Sequence, residues 1–226
     1  MENVNFKDLG LVEYKEAWSY QEEQFNAVMD AKVKKQPKDG FLLFCEHPHV
    51  FTLGKSGDEQ NFLIHDELLK QIGATYFQTN RGGDITYHGP GQIVGYPIID
   101  LEKFKIPLRD YIYKLEESII KTIAEYGIKG HHLKEATGVW LDIDTPHKTR
   151  KICAIGVKAS RFITMHGFAL NVNTNLNYFE YINPCGFTDK GVTSIEKELG
   201  KKIDFKEAKT ITKQKISEVF GMNLVD

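Results

Sequence analysis

The sequence of 226 residues predicts an α+β fold, a single domain over residues 1–226 in which helices pack on one side of a mixed β-sheet. Strand patterns and helix patterns follow one another in irregular order, and not in the strict alternation that is typical of a doubly wound parallel sheet. The length fits one large domain better than two small ones, and no linker, internal repeat or low-complexity stretch divides the chain.

Three segments carry the apolar spacing of amphipathic helices. The first, from about Tyr14 to Lys35, is also the first clear element that the sequence predicts. The second begins after Pro107 and runs to about Tyr126, with a glycine after its end. The third, from about Phe205 to Phe220, follows Asp204, which stands three residues before Glu207 as in a capping box.

Short apolar or alternating runs between turn residues predict the strands. The polar, glycine-bearing stretch after Gly54 predicts a loop that leads into a short helix closed by Gly73. The predicted strand segments are FLLFC (41–45), EHPHVFTLG (46–54), ATYFQT (74–79), GVWLDI (138–143), KICAIGVKAS (151–160) and FITMHGFALNVN (162–173).

The composition excludes several classes of protein. Lys and Arg number 29 against 31 Asp and Glu, a net charge of −2, whereas a nucleic-acid binder that relies on counterion release is usually basic. The longest apolar runs, such as Phe41 to Cys45, are far short of the roughly 20 residues that span a bilayer. The first residues carry neither the basic nor the apolar region of a signal peptide. We therefore expect a cytoplasmic protein with no nucleic-acid or membrane partner.

The most unusual stretch is RGGDITYHGPGQIVGYP, residues 81–97, because it mixes five glycines with aromatic and β-branched residues. Glycines are costly in a strand unless the backbone adopts a positive φ or another group approaches closely. The pattern matches neither GxGxxG nor GxxxxGK[ST], so a nucleotide phosphate site is poorly supported. Two interpretations stay open: the wall of a ligand pocket with Arg81 and His88 as its polar groups, or a structural glycine-rich turn.

Two further residues are candidates for chemistry. Cys185 stands in INPCG, a turn sequence, while Cys45 and Cys153 lie in apolar strand patterns and fit the role of small hydrophobic residues. Lys151 begins a predicted strand, and strict alternation would place Lys151, Cys153 and Ile155 on one face. A lysine at the end of a strand usually points to water. The odd cysteine count and the lack of CxxC or HExxH favour neither disulfides nor a metal site.

Taken in order, RGGDITYHGPGQIVGYPIIDL, KICAIG, HGFALNVN and INPCG closely resemble the octanoyltransferases of the lipoate pathway, the lipoyl(octanoyl) transferases. EHPHVFTLGKSG is similar to the early strand–turn segment of that family, and the resemblance covers about residues 10–195. Two departures stand out. Asp84 replaces the commoner Gln and puts an extra charge near the presumed pocket, and His49 replaces a second Pro.

The resemblance implies a fold related to the lipoate and biotin protein ligases, and a cytoplasmic enzyme that moves octanoyl from acyl carrier protein to a lysine of a lipoyl domain. It implies no cofactor, and acceptors among the 2-oxoacid dehydrogenase subunits and the glycine cleavage H protein. It assigns Cys185 as the nucleophile that carries an acyl thioester, with Lys151 as its partner. The substrate-binding residues that it implies are Arg81, Gly82, Gly83, Asp84, Ile85, Thr86, Tyr87, His88, Ala154, Ile155, Gly156, Gly167, Phe168 and Ala169.

Three other functions compete with this prediction. An ATP-dependent lipoate or biotin protein ligase would share the fold but would need to hold a nucleotide and would not need Cys185. A non-catalytic protein that binds acyl groups or lipoyl domains would tolerate loss of both Cys185 and Lys151. A thiol hydrolase would release free octanoate. The lysines within residues 32–38 and 197–215 fit solvated helix faces, with a docking patch for an acidic partner as the alternative.

Overall fold

The computed structural model describes residues 1–134, 136–145, 147–183 and 190–225. Its helices are α1 (Tyr14–Val33), α2 (Asp66–Gln71), α3 (Leu108–Ala124), α4 (Ile195–Leu199) and α5 (Phe205–Phe220). Its strands are β1 (Glu2–Leu11), β2 (Gly40–Glu46), β3 (Val50–Leu53), β4 (Thr75–Gln78), β5 (Thr86–His88), β6 (Gln92–Ile98), β7 (His131–His132), β8 (Val139–Leu141), β9 (Arg150–Ser160), β10 (Ile163–Asn171), β11 (Gly191–Val192) and β12 (Met222–Val225).

The strands form two mixed sheets, which confirms the predicted α+β class. The larger sheet has the order β12-β1-β2-β6-β10-β9-β8-β7, and β11 pairs in parallel with β9. Strand β1 runs parallel to both of its neighbours, while the pairs from β2 to β7 are antiparallel. The smaller sheet has the order β4-β3-β5. Its core brings Phe51 and Tyr87 against the aromatic residues of the 3₁₀ turn Leu176–Tyr181.

Helices cover both faces of the larger sheet, so the prediction of helices on one side is wrong. Ala17 and Val28 of α1 pack in one core with Leu43 of β2. Helices α3 and α5 pack in a second core, which contains Leu42 and Phe44. Because neighbouring residues of a strand point to opposite faces, the continuous apolar run of β2 requires cover on both sides.

The helix boundaries follow the capping residues that the sequence shows. The Asp204 carboxylate accepts hydrogen bonds from the backbone N–H groups of Lys206 and Glu207, at 2.9 and 3.0 Å, so it caps α5. Gly221, with φ +67°, ends the same helix in the left-handed conformation. No helix in these described residues has the length and apolarity needed to cross a bilayer.

Candidate active site

A cavity of about 270 Å³ lies between the glycine-rich segment and the strands β6, β9 and β10. All but two of the residues predicted to bind substrate line it, and so does Lys151. The predicted residues at its wall are Arg81, Gly83, Asp84, Ile85, Thr86, His88, Ala154, Ile155, Gly156, Gly167, Phe168 and Ala169. The fold therefore brings three separate sequence motifs to one cavity.

Gly82 and Tyr87 are the two predicted residues that do not line the cavity. The Gly82 backbone N–H donates a hydrogen bond to the Val157 carbonyl oxygen at 2.8 Å, so this N–H is not available to a reaction intermediate. Tyr87 is fully buried in the core of the small sheet, where it stacks on Tyr178 at 4.8 Å between ring centroids. Its hydroxyl is hydrogen-bonded to Nδ1 of His49 at 2.7 Å. Both residues therefore contact the residues that line the cavity, or their neighbours, and do not face the cavity themselves.

Arg81 is held by the neighbouring strand β3. Its guanidinium donates to both the hydroxyl and the carbonyl oxygen of Thr52, and to the Gly82 carbonyl oxygen at 3.0 Å. The side chain is only 7% exposed. These bonds fix the cation at the cavity wall and join the glycine-rich segment to the small sheet.

A chain of buried amides crosses the cavity wall towards the strand that carries Lys151. Nδ1 of His88 is 2.8 Å from the Gln92 side-chain oxygen, and the Gln92 side-chain nitrogen donates to the Asn171 side-chain oxygen at 2.9 Å. Asn171 donates to the carbonyl oxygen of Thr193 at 3.0 Å, and the Thr193 N–H donates to the Lys151 carbonyl oxygen at 2.9 Å. The sequence analysis missed Gln92, Asn171 and Thr193. For Gln92 and Asn171, a polar residue next to apolar ones in QIVGYP and FALNV could have indicated a buried hydrogen-bonded side chain.

The aromatic and imidazole groups at the cavity stay neutral near pH 7. Burial lowers the pKa of His88 to about 3, and the neighbouring His47 and Arg81 act in the same direction. Burial likewise lowers the pKa of His166 to about 3. Burial raises the pKa of Tyr14 to about 12, although Arg81 opposes that shift. None of these groups therefore adds charge to the wall at neutral pH.

Asp84 organises the loop before α2 as well as lining the cavity. Its carboxylate accepts hydrogen bonds from the Asp58 backbone N–H at 3.2 Å and from the Asn61 side-chain amide at 2.6 Å. The Asn61 carbonyl oxygen in turn accepts from the N–H of Asn183, two residues before Cys185, at 2.9 Å. Asp84 is thus linked through Asn61 to Asn183.

Lys151 lies between two cavities. A second cavity of about 500 Å³ adjoins the first, and Lys151, Phe179 and Val192 line both. The Lys151 Nζ is 4.6 Å from the centroid of the Trp140 ring. A register shift between Val139 and Trp140 pairs Trp140 with Lys151 and Val139 with Cys153. Because this bulge breaks the alternation, the prediction that Lys151 and Cys153 share a face is wrong.

Cys185 lies outside the described residues, so its predicted pairing with Lys151 stays a prediction. The residues that flank it in sequence, Asn183 and Lys190, line the second cavity together with Lys151. Cys45 and Cys153 are both fully buried, and burial raises the pKa of each thiol. A buried thiol without access to solvent is a poor nucleophile, so these two cysteines fit a packing role.

The histidines of the HPH motif have separate hydrogen-bond partners. Nδ1 of His47 is 2.8 Å from the Val12 carbonyl oxygen, and its Nε2 is 2.7 Å from the Tyr96 hydroxyl. Nδ1 of His49 is hydrogen-bonded to the Tyr87 hydroxyl, and its ring stacks on Tyr178. Within the four described stretches, no three His, Cys, Asp or Glu side chains are grouped so that they could hold a metal ion.

Known proteins resemble this chain over nearly its whole length. Residues 13–217 match the model of the lipoyl protein ligase A/B catalytic domain. The chain is 54% identical to the octanoyltransferase of Parabacteroides distasonis over 98% of its own length and 100% of the relative's. It is 51% identical to the octanoyltransferase of Flavobacterium johnsoniae over 98% of each chain.

Solved structures share the fold at much lower identity. The bi-partite lipoate protein ligase of Thermoplasma acidophilum superposes with a TM-score of 0.74 at 11% identity, over 100% of this chain and 87% of that one. The biotin protein ligase of Aquifex aeolicus superposes with a TM-score of 0.52 at 15% identity, over 98% and 71% of the two chains. The fold, the matched family model and relatives more than half identical over nearly the whole chain agree, and the chain belongs to the lipoyl protein ligase A/B catalytic domain family, among its octanoyltransferases.

Proposed function

We propose that this protein transfers an octanoyl group from the thioester of acyl carrier protein to the ε-amine of a lysine on a lipoyl domain, through an octanoyl thioester on Cys185. The lipoyl domains are those of 2-oxoacid dehydrogenase subunits and of the glycine cleavage H protein, and the reaction takes place in the cytoplasm. The single observation that carries the proposal is the position of Lys151, which lies where the first cavity meets the second, beside the residues that flank Cys185.

The first cavity suits the acyl chain. Ile85, Val94, Ile155 and Phe168 supply apolar surface at its wall, and the neighbouring imidazoles are uncharged near pH 7. Burying the six methylene groups of an octanoyl chain contributes about 5 kcal/mol, at about 0.8 kcal/mol each. That contribution is enough to hold the acyl end of the donor while the thioester is exchanged.

Two acyl transfers complete the reaction. The Cys185 thiolate attacks the donor carbonyl carbon, and the phosphopantetheine thiol leaves with a proton from Lys151. The acceptor amine then attacks the new thioester, its proton passes to Lys151, and the Cys185 thiolate leaves. Thioester exchange is close to neutral in free energy and amide formation from a thioester is favourable, so neither step needs ATP. A cysteine is the suitable nucleophile because the intermediate stays a thioester.

Intact-mass spectrometry tests the proposal directly. The purified protein is incubated with octanoyl acyl carrier protein, without ATP. We expect a gain of one octanoyl group in the wild type and in Cys153→Ala, and no gain in Cys185→Ala. Addition of a lipoyl domain should remove the octanoyl group from the enzyme and place it on the acceptor lysine.

Specific outcomes would contradict the proposal. An adduct that persists in Cys185→Ala, or that maps to Cys45 or Cys153, would exclude Cys185 as the nucleophile. A transfer that requires ATP would favour the ligase alternative. Release of free octanoate, without acylation of the lipoyl domain, would identify a hydrolase.

A further inference from the structure

We propose that Trp140 is a positioning residue, whose ring holds the Lys151 ammonium at the junction of the two cavities. This inference rests on the proposed function, because it concerns the step in which Lys151 takes part. Trp140 itself lines the second cavity but not the first.

The ring and the ammonium meet because of the strand register. Trp140 on β8 is the direct partner of Lys151 on β9, and paired residues of an antiparallel ladder project to the same face. The Nζ atom lies 4.6 Å from the ring centroid, within the range of a cation–π interaction. Without the bulge beside Val139, regular pairing would place Ile152 opposite Val139, in place of Cys153.

The ring is itself held rigidly. Trp140 is 2% exposed, and its Nε1–H donates to the Ala136 carbonyl oxygen at 2.7 Å. The segment that contains Ala136 is tied to helix α3, because the Gly138 N–H donates to the buried Glu116 carboxylate at 2.8 Å. A ring that is buried and hydrogen-bonded in this way presents a fixed face to the ammonium.

Gly138 lies beside the Lys151 side chain, where β8 and β9 approach each other closely. Its φ is +127°, a conformation that other residues rarely adopt. A Cβ built there would lie 2.6 Å from the Cys153 carbonyl oxygen, which is too close, but 3.4 Å from Lys151 Cε, which is an ordinary contact. The glycine thus allows the close approach of β8 and β9 beside the lysine.

A fixed ammonium matters more for Lys151 than for an ordinary lysine. The lysine side chain is a flexible four-carbon stem, and it loses rotamer entropy when its ammonium is fixed in one place. The Trp140 ring compensates part of that cost before substrate binds, and it favours the charged form of the amine through its electron-rich face. Loss of the ring should therefore slow the step that Lys151 assists without removing Cys185 or the acyl cavity.

The test measures the rate of octanoyl adduct formation against pH in Trp140→Leu, Trp140→Phe, Lys151→Ala and the double variant Trp140→Leu/Lys151→Ala. We expect Trp140→Leu to slow adduct formation about tenfold and to move its pH profile in the direction of Lys151→Ala. Trp140→Phe keeps an aromatic face and should stay within about threefold of the wild type. The double variant should be no slower than Lys151→Ala, because Trp140 acts through Lys151.

Leu141→Ala is the matched control. Leu141 is the next residue of β8, buried in the core on the other face, and its truncation lowers stability without touching Lys151. Its rate per folded molecule should equal that of the wild type, with folding checked by thermal melting of every variant. Additive losses in the double variant, or an unchanged pH profile in folded Trp140→Leu, would overturn the inference. Normal rates in Lys151→Ala would instead overturn the role of the lysine in the proposed function.

Discussion

Acidification from pH 7.5 to 5.0 should destabilise this protein strongly, because three buried histidines stay neutral in the folded state. Burial lowers the pKa of His47 to about 4 and that of His88 and His166 to about 3, from the usual 6.5. Below pH 6.5 the unfolded chain binds a proton at each of these residues and the folded chain does not. Stability is therefore greatest above pH 6.5 and falls as the pH approaches the folded pKa values.

The size of the effect follows from the unfolded pKa alone, as long as the folded pKa lies well below 5. At pH 5.0, 1.5 units below 6.5, each histidine costs about 2 kcal/mol of unfolding free energy, so the three together cost about 6 kcal/mol. The slope should approach about 4 kcal/mol per pH unit near pH 5. Glu198, whose pKa Arg150 holds below its usual range, contributes mainly at lower pH, so it stays outside this window.

Urea unfolding at a series of pH values measures this loss. His47→Asn removes one titrating group while its amide replaces the donor to the Val12 carbonyl oxygen, so the loss should fall from about 6 to about 4 kcal/mol. Val28→Ala, on the buried face of α1, should lower stability at every pH but keep the full pH dependence. An unfolding free energy that does not change between pH 7.5 and 5.0, or an equal slope in His47→Asn, would refute the reasoning.

Two further predictions concern the packing of the wall. In Gly167→Ala the new Cβ would lie 2.0 Å from the Gly95 carbonyl oxygen, so we expect strands β6 and β10 to move apart. Thermal melting should show that the unfolding free energy falls by at least about 2 kcal/mol, and an unchanged melting temperature would contradict this. Asn171→Leu removes one hydrogen-bond partner from the Gln92 amide and one from the Thr193 carbonyl oxygen. Urea unfolding should show that the unfolding free energy falls by about 2–5 kcal/mol. A decrease below about 1 kcal/mol would mean that water replaces the Asn171 amide.

The sequence predicted the elements whose residues show a strong period. Helices α1, α3 and α5 begin at the predicted residues and end within about two residues of the predicted ends. Strands β1 and β12 were missed because they form one edge of the sheet, where few side chains are buried. Val4 is the only residue of β1 that is fully buried, so the alternation that identifies a strand is absent there.

The candidate site was predictable only where its residues are close in sequence. Within each of the three motifs the predicted substrate-binding residues are neighbours in sequence, and nearly all of them line the cavity. The contacts that hold them join distant positions: Arg81 reaches Thr52, and Gln92 reaches Asn171. No local pattern encodes such pairs, because each joins residues far apart in sequence that only the fold brings side by side, as strand pairing does for Gln92 on β6 and Asn171 on β10. The opposite faces of Lys151 and Cys153 result from the bulge beside Val139, which shifts the register by one residue and cannot be derived from alternation.

At Gly95 and Gly83 the structural interpretation of the glycine-rich segment applies, for two different reasons. At Gly95 an added Cβ would lie 2.2 Å from the Phe168 ring, so the neighbouring side chain, and not a ligand, takes the space. At Gly83 the nearest atom would be 3.6 Å away, but φ is +85°, so backbone conformation requires the glycine there. Gly95 and Gly167 set how closely β6 and β10 approach, and that approach sets the width of the cavity beside Phe168. Lost activity in a variant of either glycine would therefore report a change in cavity shape, and only a variant of a residue whose side chain faces the cavity can identify a contact with the acyl chain.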